Sequence, residues 1–248
     1  MIGGGAAGGA VGSPLAIFGY GHSGSISSIT NLVSSSGYVS NDVTGVGTAR
    51  FQLAAATYGV DKAIFGYGNT GSYSSLSNLV NSSGVVQADT LGVGTARGYL
   101  GAAGYGTDKA IFGYGQTGSY FSITNLVNSS GVVAADTTGV GTARNSVAAA
   151  TYGLNKALFG FGNSASPSAI TNLVSSTGVV STDTAGVGTG RFALAAAGYG
   201  GDKAIFGYGY STGIVSMSNL VSSSGVVAED QARVAGTARE TLAAAGYG

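Results

Sequence analysis

Residues 61–107 read DKAIFGYGNTGSYSSLSNLVNSSGVVQADTLGVGTARGYLGAAGYGT, and this unit recurs along nearly the whole chain. Its landmark FGYG (FGFG in the fourth copy) begins at Phe18, Phe65, Phe112, Phe159 and Phe206, always 47 residues apart. Asn31, Asn78, Asn125, Asn172 and Asn219 keep the same interval. A period of this length is one supersecondary unit that needs its neighbours to bury its faces. Within the unit, KAIFGYG is short, apolar and aromatic. SSLSNLVNSS alternates, with Leu76 and Leu79 among polar residues. VVQADT follows a Ser-Gly turn, and GYLGAAGYG follows Thr-Ala-Arg. Each segment is bounded by Gly, Ser, Asn or Asp, which reads as strand and turn. The alternative for LAAATYG is a helix, but the stretch is too short to be a stable one.

Four short strands per unit predict an all-β fold, a five-bladed β-propeller of four-stranded blades. The Ala-Ala-Ala runs at 54–56, 148–150, 195–197 and 243–245 suit lean innermost strands, and Ile64, Phe65 and Tyr67 would fill the wedge between blades. The repeats begin and end out of phase, since RETLAAAGYG at 239–248 has no FGYG after it. The expectation is a ring closed by the C-terminal strand, with Leu242–Tyr247 beside Ile17–Tyr20, which would remove an open edge. Residues 1–13 then form a Gly-rich arm suited to bridging copies in a homo-oligomer, and residues 14–248 form the domain. A β-solenoid is the runner-up.

Composition narrows function. The 248 residues carry zero formal net charge with only 8% charged side chains, so there is no basic face for nucleic acid. No apolar run reaches the length of a membrane helix, and MIGGGAAGGAVGS lacks the basic start of a signal peptide. There is no cysteine, and His22 is the one histidine, so neither a Cys/His metal site nor a nucleophile–histidine pair is supported. GVGTAR lacks a P-loop lysine. The reading is a non-enzymatic protein with no cofactor and no metal.

The charges recur in register. Arg50, Arg97, Arg144, Arg191 and Arg239 hold one repeat position, and Asp42, Asp89, Asp136, Asp183 and Asp230 another. Equal numbers in every copy predict bidentate Arg–Asp pairs that fix the strand connections. A third set, Lys62, Lys109, Lys156 and Lys203, follows Asp or Asn in what reads as an exposed turn.

What varies between copies follows FGYG: HSGSISS, NTGSYSS, QTGSYFS, NSASPSA and YSTGIVS, starting at residues 22, 69, 116, 163 and 210. The ligand-binding candidates are therefore His22, Asn69, Tyr73, Gln116, Tyr120, Asn163 and Tyr210, side chains suited to hydrogen bonding and stacking on neutral sugars. A second variable pair follows each arginine: Phe51-Gln52, Gly98-Tyr99, Asn145-Ser146, Phe192-Ala193 and Glu240-Thr241.

The order of TARFQLAAATYGVDKAIFGYG, residues 48–68, resembles the kelch repeat of β-propellers, in which an arginine precedes a small apolar strand and the next strand ends in glycines. It departs from that repeat in having Gly-Tyr-Gly for Gly-Gly and in lacking the later tryptophan. The blade count is also similar to that of five-bladed tachylectin-type lectins. Across residues 14–248 the wording DKAIFGYG, NLV, SSGVV and GVGTAR resembles repeat arrays of marine and freshwater tailed phages. That resemblance implies a virion or extracellular setting, with protein subunits of an assembly or surface glycans as partners. The alternative is a stand-alone lectin-like carbohydrate-binding module.

Overall fold

The computed structural model describes residues 16–231 and 236–246. Every regular element among them is a strand. The first copy contributes β1 (Ala16–His22) and β2 (Ile26–Val33). The second contributes β3 (Ala54–Tyr58), β4 (Lys62–Gly66) and β5 (Ser77–Val80). The third supplies β6 (Gly101–Tyr105), β7 (Lys109–Gly113) and β8 (Thr124–Val127). β9 (Ala148–Tyr152), β10 (Lys156–Gly160) and β11 (Thr171–Val174) follow. β12 (Ala195–Tyr199), β13 (Lys203–Gly207) and β14 (Ser218–Val221) complete the set.

These strands make five separate antiparallel sheets, one of two strands and four of three, and no sheet is closed. The expected closed propeller of four-stranded blades is therefore not formed, although the fold is all-β. The fourth segment of each copy runs beside the third strand without becoming a strand. Val86 bridges Val80 and Thr90 bridges Ser77, and the ladder between them is broken. The register shifts by one residue between these bridges, Gln87 N still donates to Leu79 O at 2.8 Å, and the Asn78 side-chain amide adds bonds to Gln87 O at 3.0 Å and to Asp89 Oδ1 at 2.9 Å.

The terminal closure is also absent among the described residues. β1 pairs with β2 alone, and residues 242–246 form no strand. Phe18 consequently stands 56% exposed, whereas its equivalents Phe65, Phe112, Phe159 and Phe206 are buried. The arm at 1–13, Pro14, Leu15, Tyr247 and Gly248 lie outside the described residues.

Packing between copies follows from small residues. β3 lies against β6, β6 against β9 and β9 against β12, strands of alanine and glycine that allow close approach. The Phe of each copy inserts beneath the Gly-aromatic-Gly of the copy before it. Ring centroids of Tyr20 and Phe65 are 5.1 Å apart, those of Tyr67 and Phe112 5.2 Å, those of Tyr114 and Phe159 5.1 Å, and those of Phe161 and Phe206 5.0 Å. Edge-on contacts of this kind add stabilisation beyond area burial. Gly66 is required here, because a Cβ on it would sit 2.6 Å from Phe112 Cζ.

Candidate functional site

The arginines hold the site from beneath. Arg50, Arg97, Arg144 and Arg191 are fully buried. Arg97 donates from Nε to Tyr114 O at 2.7 Å, from Nη1 to Thr95 O at 3.0 Å and from Nη2 to Asn125 Oδ1 at 2.7 Å. Its guanidinium lies 4.3 Å over the Tyr67 ring of the preceding copy. A planar cation with several fixed donors is suited to such a cage, in which peptide carbonyls and a ring face share the charge. Burial lowers the pKa of each of these arginines, with the neighbouring aspartate (and, for the first three, a tyrosine) opposing that shift.

The aspartates sit one step further out. Asp136 accepts from Thr95 N at 3.0 Å, from Thr95 Oγ1 at 2.7 Å and from Asn125 Nδ2 at 2.9 Å. Burial alone would raise its pKa, but the bonds from Thr95 and Asn125 and the charge of Arg97 outweigh it and hold the carboxyl below the ordinary range. The same balance holds Asp89, Asp183 and Asp230 low.

The expected bidentate Arg–Asp pairing is replaced by a relay through asparagine. The closest N–O approach is 3.8 Å for Arg50–Asp89 and Arg144–Asp183, and 3.3 Å for Arg191–Asp230. With Nε, Nη1 and Nη2 engaged by two carbonyls and an amide oxygen, no bidentate fork forms, and only Arg191 Nη1 donates singly to its carboxylate, Asp230 Oδ1. The asparagine was visible as a 47-residue period, and its regularity was the available signal. The threonines at 48, 95, 142 and 189 and the aromatic residue of each GYG or GFG also belong to the network.

One network is split between the ends of the array. Asn31 donates to Asp42 Oδ1 at 2.9 Å, and no arginine joins them among the described residues. Arg239 is exposed, donates to Thr237 O at 3.2 Å and lies 3.8 Å over the Tyr208 ring. Of the Asp–Lys neighbours, Lys109 reaches Asp108 at 2.8 Å and Lys203 reaches Asp202 at 3.4 Å, with both pairs well exposed. Such pairs contribute little.

Above this layer the two variable positions meet. β3 leads away from Phe51 to a hairpin at 59–61, and β4 returns towards Asn69, so both positions fall at the sheet end remote from that hairpin. Phe51 bridges Asn69, Gly98 bridges Gln116, Asn145 bridges Asn163 and Phe192 bridges Tyr210. Within each loop, Asn69 bridges Tyr73, Gln116 bridges Tyr120, Asn163 bridges Pro167 and Tyr210 bridges Ile214.

The side chains here form a patchwork that differs from copy to copy. Exposed His22 packs on Phe51 with centroids 5.6 Å apart, and Phe192 on Tyr210 at 5.4 Å. Asn145 donates to Gln116 Oε1 at 2.5 Å, and Gln116 donates to Tyr73 Oη at 3.3 Å, a chain that crosses from one copy to the next. Asn69 Oδ1 is engaged by Gly71 N at 2.7 Å within its own turn. Tyr120 is half-buried at its bridge to Gln116. The Oδ1 atoms of Asn145 and Asn163 are buried without a partner, and such atoms in a loop face call for a reason. Sequence reasoning placed the candidates in the loops after FGYG. It left Phe51, Asn145 and Phe192, which complete the same face, as a separate variable pair.

A backbone ladder ties the copies together beside this face. Tyr99 N donates to Gln52 O at 3.0 Å, Ser146 N to Tyr99 O at 2.8 Å, Ala193 N to Ser146 O at 3.3 Å and Thr241 N to Ala193 O at 2.7 Å. All five residues are left-handed, with φ between 50° and 57°. Non-glycine residues rarely adopt this conformation, and here the ladder compensates for it in every copy.

Neither a family model nor a curated protein matches the chain. Among the described residues, no three His, Cys, Asp or Glu side chains are grouped to hold a metal ion, and no helix is long and apolar enough to cross a membrane.

Proposed function

We propose that the protein is a non-enzymatic recognition scaffold that contacts neutral glycans through its loop face, in an adhesive or structural role. One observation carries the reading. Two variable sequence positions, some 18 residues apart in each copy, converge on one face, while the Arg–Asn–Asp–Thr layer beneath is repeated almost unchanged. A rigid base with divergent loops is how recognition surfaces are commonly built. Aromatic rings beside amide groups, as at Tyr73–Gln116–Asn145 and Phe192–Tyr210, offer stacking together with hydrogen bonds. Apart from Glu240, the two variable positions carry no formal charge, which favours neutral sugars. The resemblance to tailed-phage repeat arrays supports a place on a virion, where such a face would meet a host surface.

The test is a glycan array with the full chain, compared with Tyr73→Ala and Tyr210→Ala. Binding to neutral oligosaccharides, weakened about tenfold by either substitution, supports the reading, because one stacked ring contributes on the order of 1 kcal/mol or more. Unchanged binding in both variants, or no glycan bound at all, removes it.

A further inference from the structure

We propose that a cavity at which all five repeats converge binds a small primary ammonium compound with an apolar body. The cavity has a volume of about 230 Å³ and lies against the left-handed ladder. One repeat position, Leu53, Leu100, Val147, Leu194 and Leu242, lines it from every copy, and Ala148, Ala149, Ala195 and Ala196 extend the apolar wall. The preceding residue in each copy, the ladder residue itself, adds the side chains of Gln52, Tyr99, Ser146 and Thr241. Gln52 Nε2 donates to Tyr99 Oη, while Gln52 Oε1 is buried without a partner and remains open as an acceptor.

The position before the ladder residue supplies the asymmetry. It is Phe51, Gly98, Asn145 and Phe192 in four copies and Glu240 in the fifth, and of these Phe192 and Glu240 line the cavity. Glu240 is the one charged side chain among the lining residues. It is half-buried, and its carboxylate has no hydrogen bond or ion pair among the described residues. A carboxylate set beside an apolar hollow, in a chain with only 8% charged residues, offers an entering cation a charge-assisted hydrogen bond. The rings of Tyr99 and Phe192 line the same space and can offer π faces to a cation. An ammonium group would donate to Glu240 while its carbon skeleton covers the leucine and valine lining. A neutral polyol would leave the charge unmet. This site shares Phe192 with the loop face, but its charge comes from Glu240, so either reading can fail alone.

The test titrates the full-length protein with benzylammonium and with the isosteric neutral benzyl alcohol, followed by calorimetry and by amide chemical shifts. The expected result is binding of benzylammonium at least about tenfold tighter than the alcohol, the gain expected of a hydrogen bond to a charged group. The shifts should centre on Leu100, Val147 and Leu194. Glu240→Gln should remove the preference and leave alcohol binding in place, whereas Glu240→Asp should retain part of it. Equal affinity of the two probes for the unaltered protein overturns the proposal without any variant. So do undiminished amine binding by Glu240→Gln and shifts confined to the loops at 69–73 and 116–120.

Discussion

Arg97 Nη2 donates to Asn125 Oδ1 at 2.7 Å, and both side chains are fully buried. The asparagine receives the cation on one side and passes its own amide protons to Ala134 O at 3.0 Å and Asp136 Oδ1 at 2.9 Å on the other. It makes two distant charges into one connected network. Asn125→Ala should therefore cost about 3 kcal/mol, because it leaves a buried guanidinium short of an acceptor and frees the segment at Asp136. Urea denaturation of the variant against the parent measures this. A loss below about 1 kcal/mol would mean that water replaces the amide.

The four low-pKa aspartates set an acid limit. Their folded pKa lies below the unfolded value of about 3.9, so the stability they contribute is fully present above that value and is lost as pH falls through the lower, folded one. Tyr67 and Tyr114 act at the other extreme. Burial pushes both up to about 12, so their contribution is present below the ordinary value near 10 and disappears as pH rises towards 12. Denaturation midpoints should hold level between about pH 5 and 9 and fall outside that range. A steep change between pH 6 and 8 would contradict this assignment.

Glycine at the end of the second strand of a sheet has two different roles in one chain. A Cβ at Gly113 would sit 2.7 Å from Phe159 Cζ, whereas one at Gly207 would meet nothing within 4 Å among the described residues. Neither position has a left-handed φ. Gly113→Ala should destabilise by about 1–3 kcal/mol through overpacking, and Gly207→Ala should be close to neutral. Thermal melts of the two variants side by side give the comparison.

The same contrast applies to the phenylalanines. Phe112→Ala removes a fully buried ring and should cost about 3–5 kcal/mol, while Phe18→Ala, at a 56% exposed ring, should cost under about 1 kcal/mol. Equal losses at the two sites would show Phe18 to be covered in solution.

The repeat made much of this legible. The 47-residue period located KAIFG as a strand in every copy, and the alanine runs marked the strand that packs copy against copy. It did not reveal that the fourth segment makes only isolated bridges, because VVQADT has ordinary strand composition and the side-chain bonds it receives come from Asn78, nine to eleven residues earlier. Closure was misread for a related reason. RETLAAAGYG matches the pairing strand of the other copies, but sequence identity does not bring the Thr237–Arg239 half of a network to its Asn31–Asp42 half. At the candidate site, variation between copies pointed to His22, Asn69 and their counterparts. The convergence of a second variable pair on the same face depended on hairpin geometry, which composition does not carry.

The ladder through Gln52, Tyr99, Ser146, Ala193 and Thr241 has a last consequence. Each link between neighbouring copies at this level is made by peptide groups, so the attachment does not depend on which side chain is present. A glutamine, a phenol, a hydroxyl and a methyl group all occupy this position without altering its φ by more than a few degrees. The main chain carries the constraint and leaves the side chain free to diverge. Five near-identical units can therefore surround one cavity with four different kinds of chemical group, and a symmetric scaffold can present an asymmetric interior.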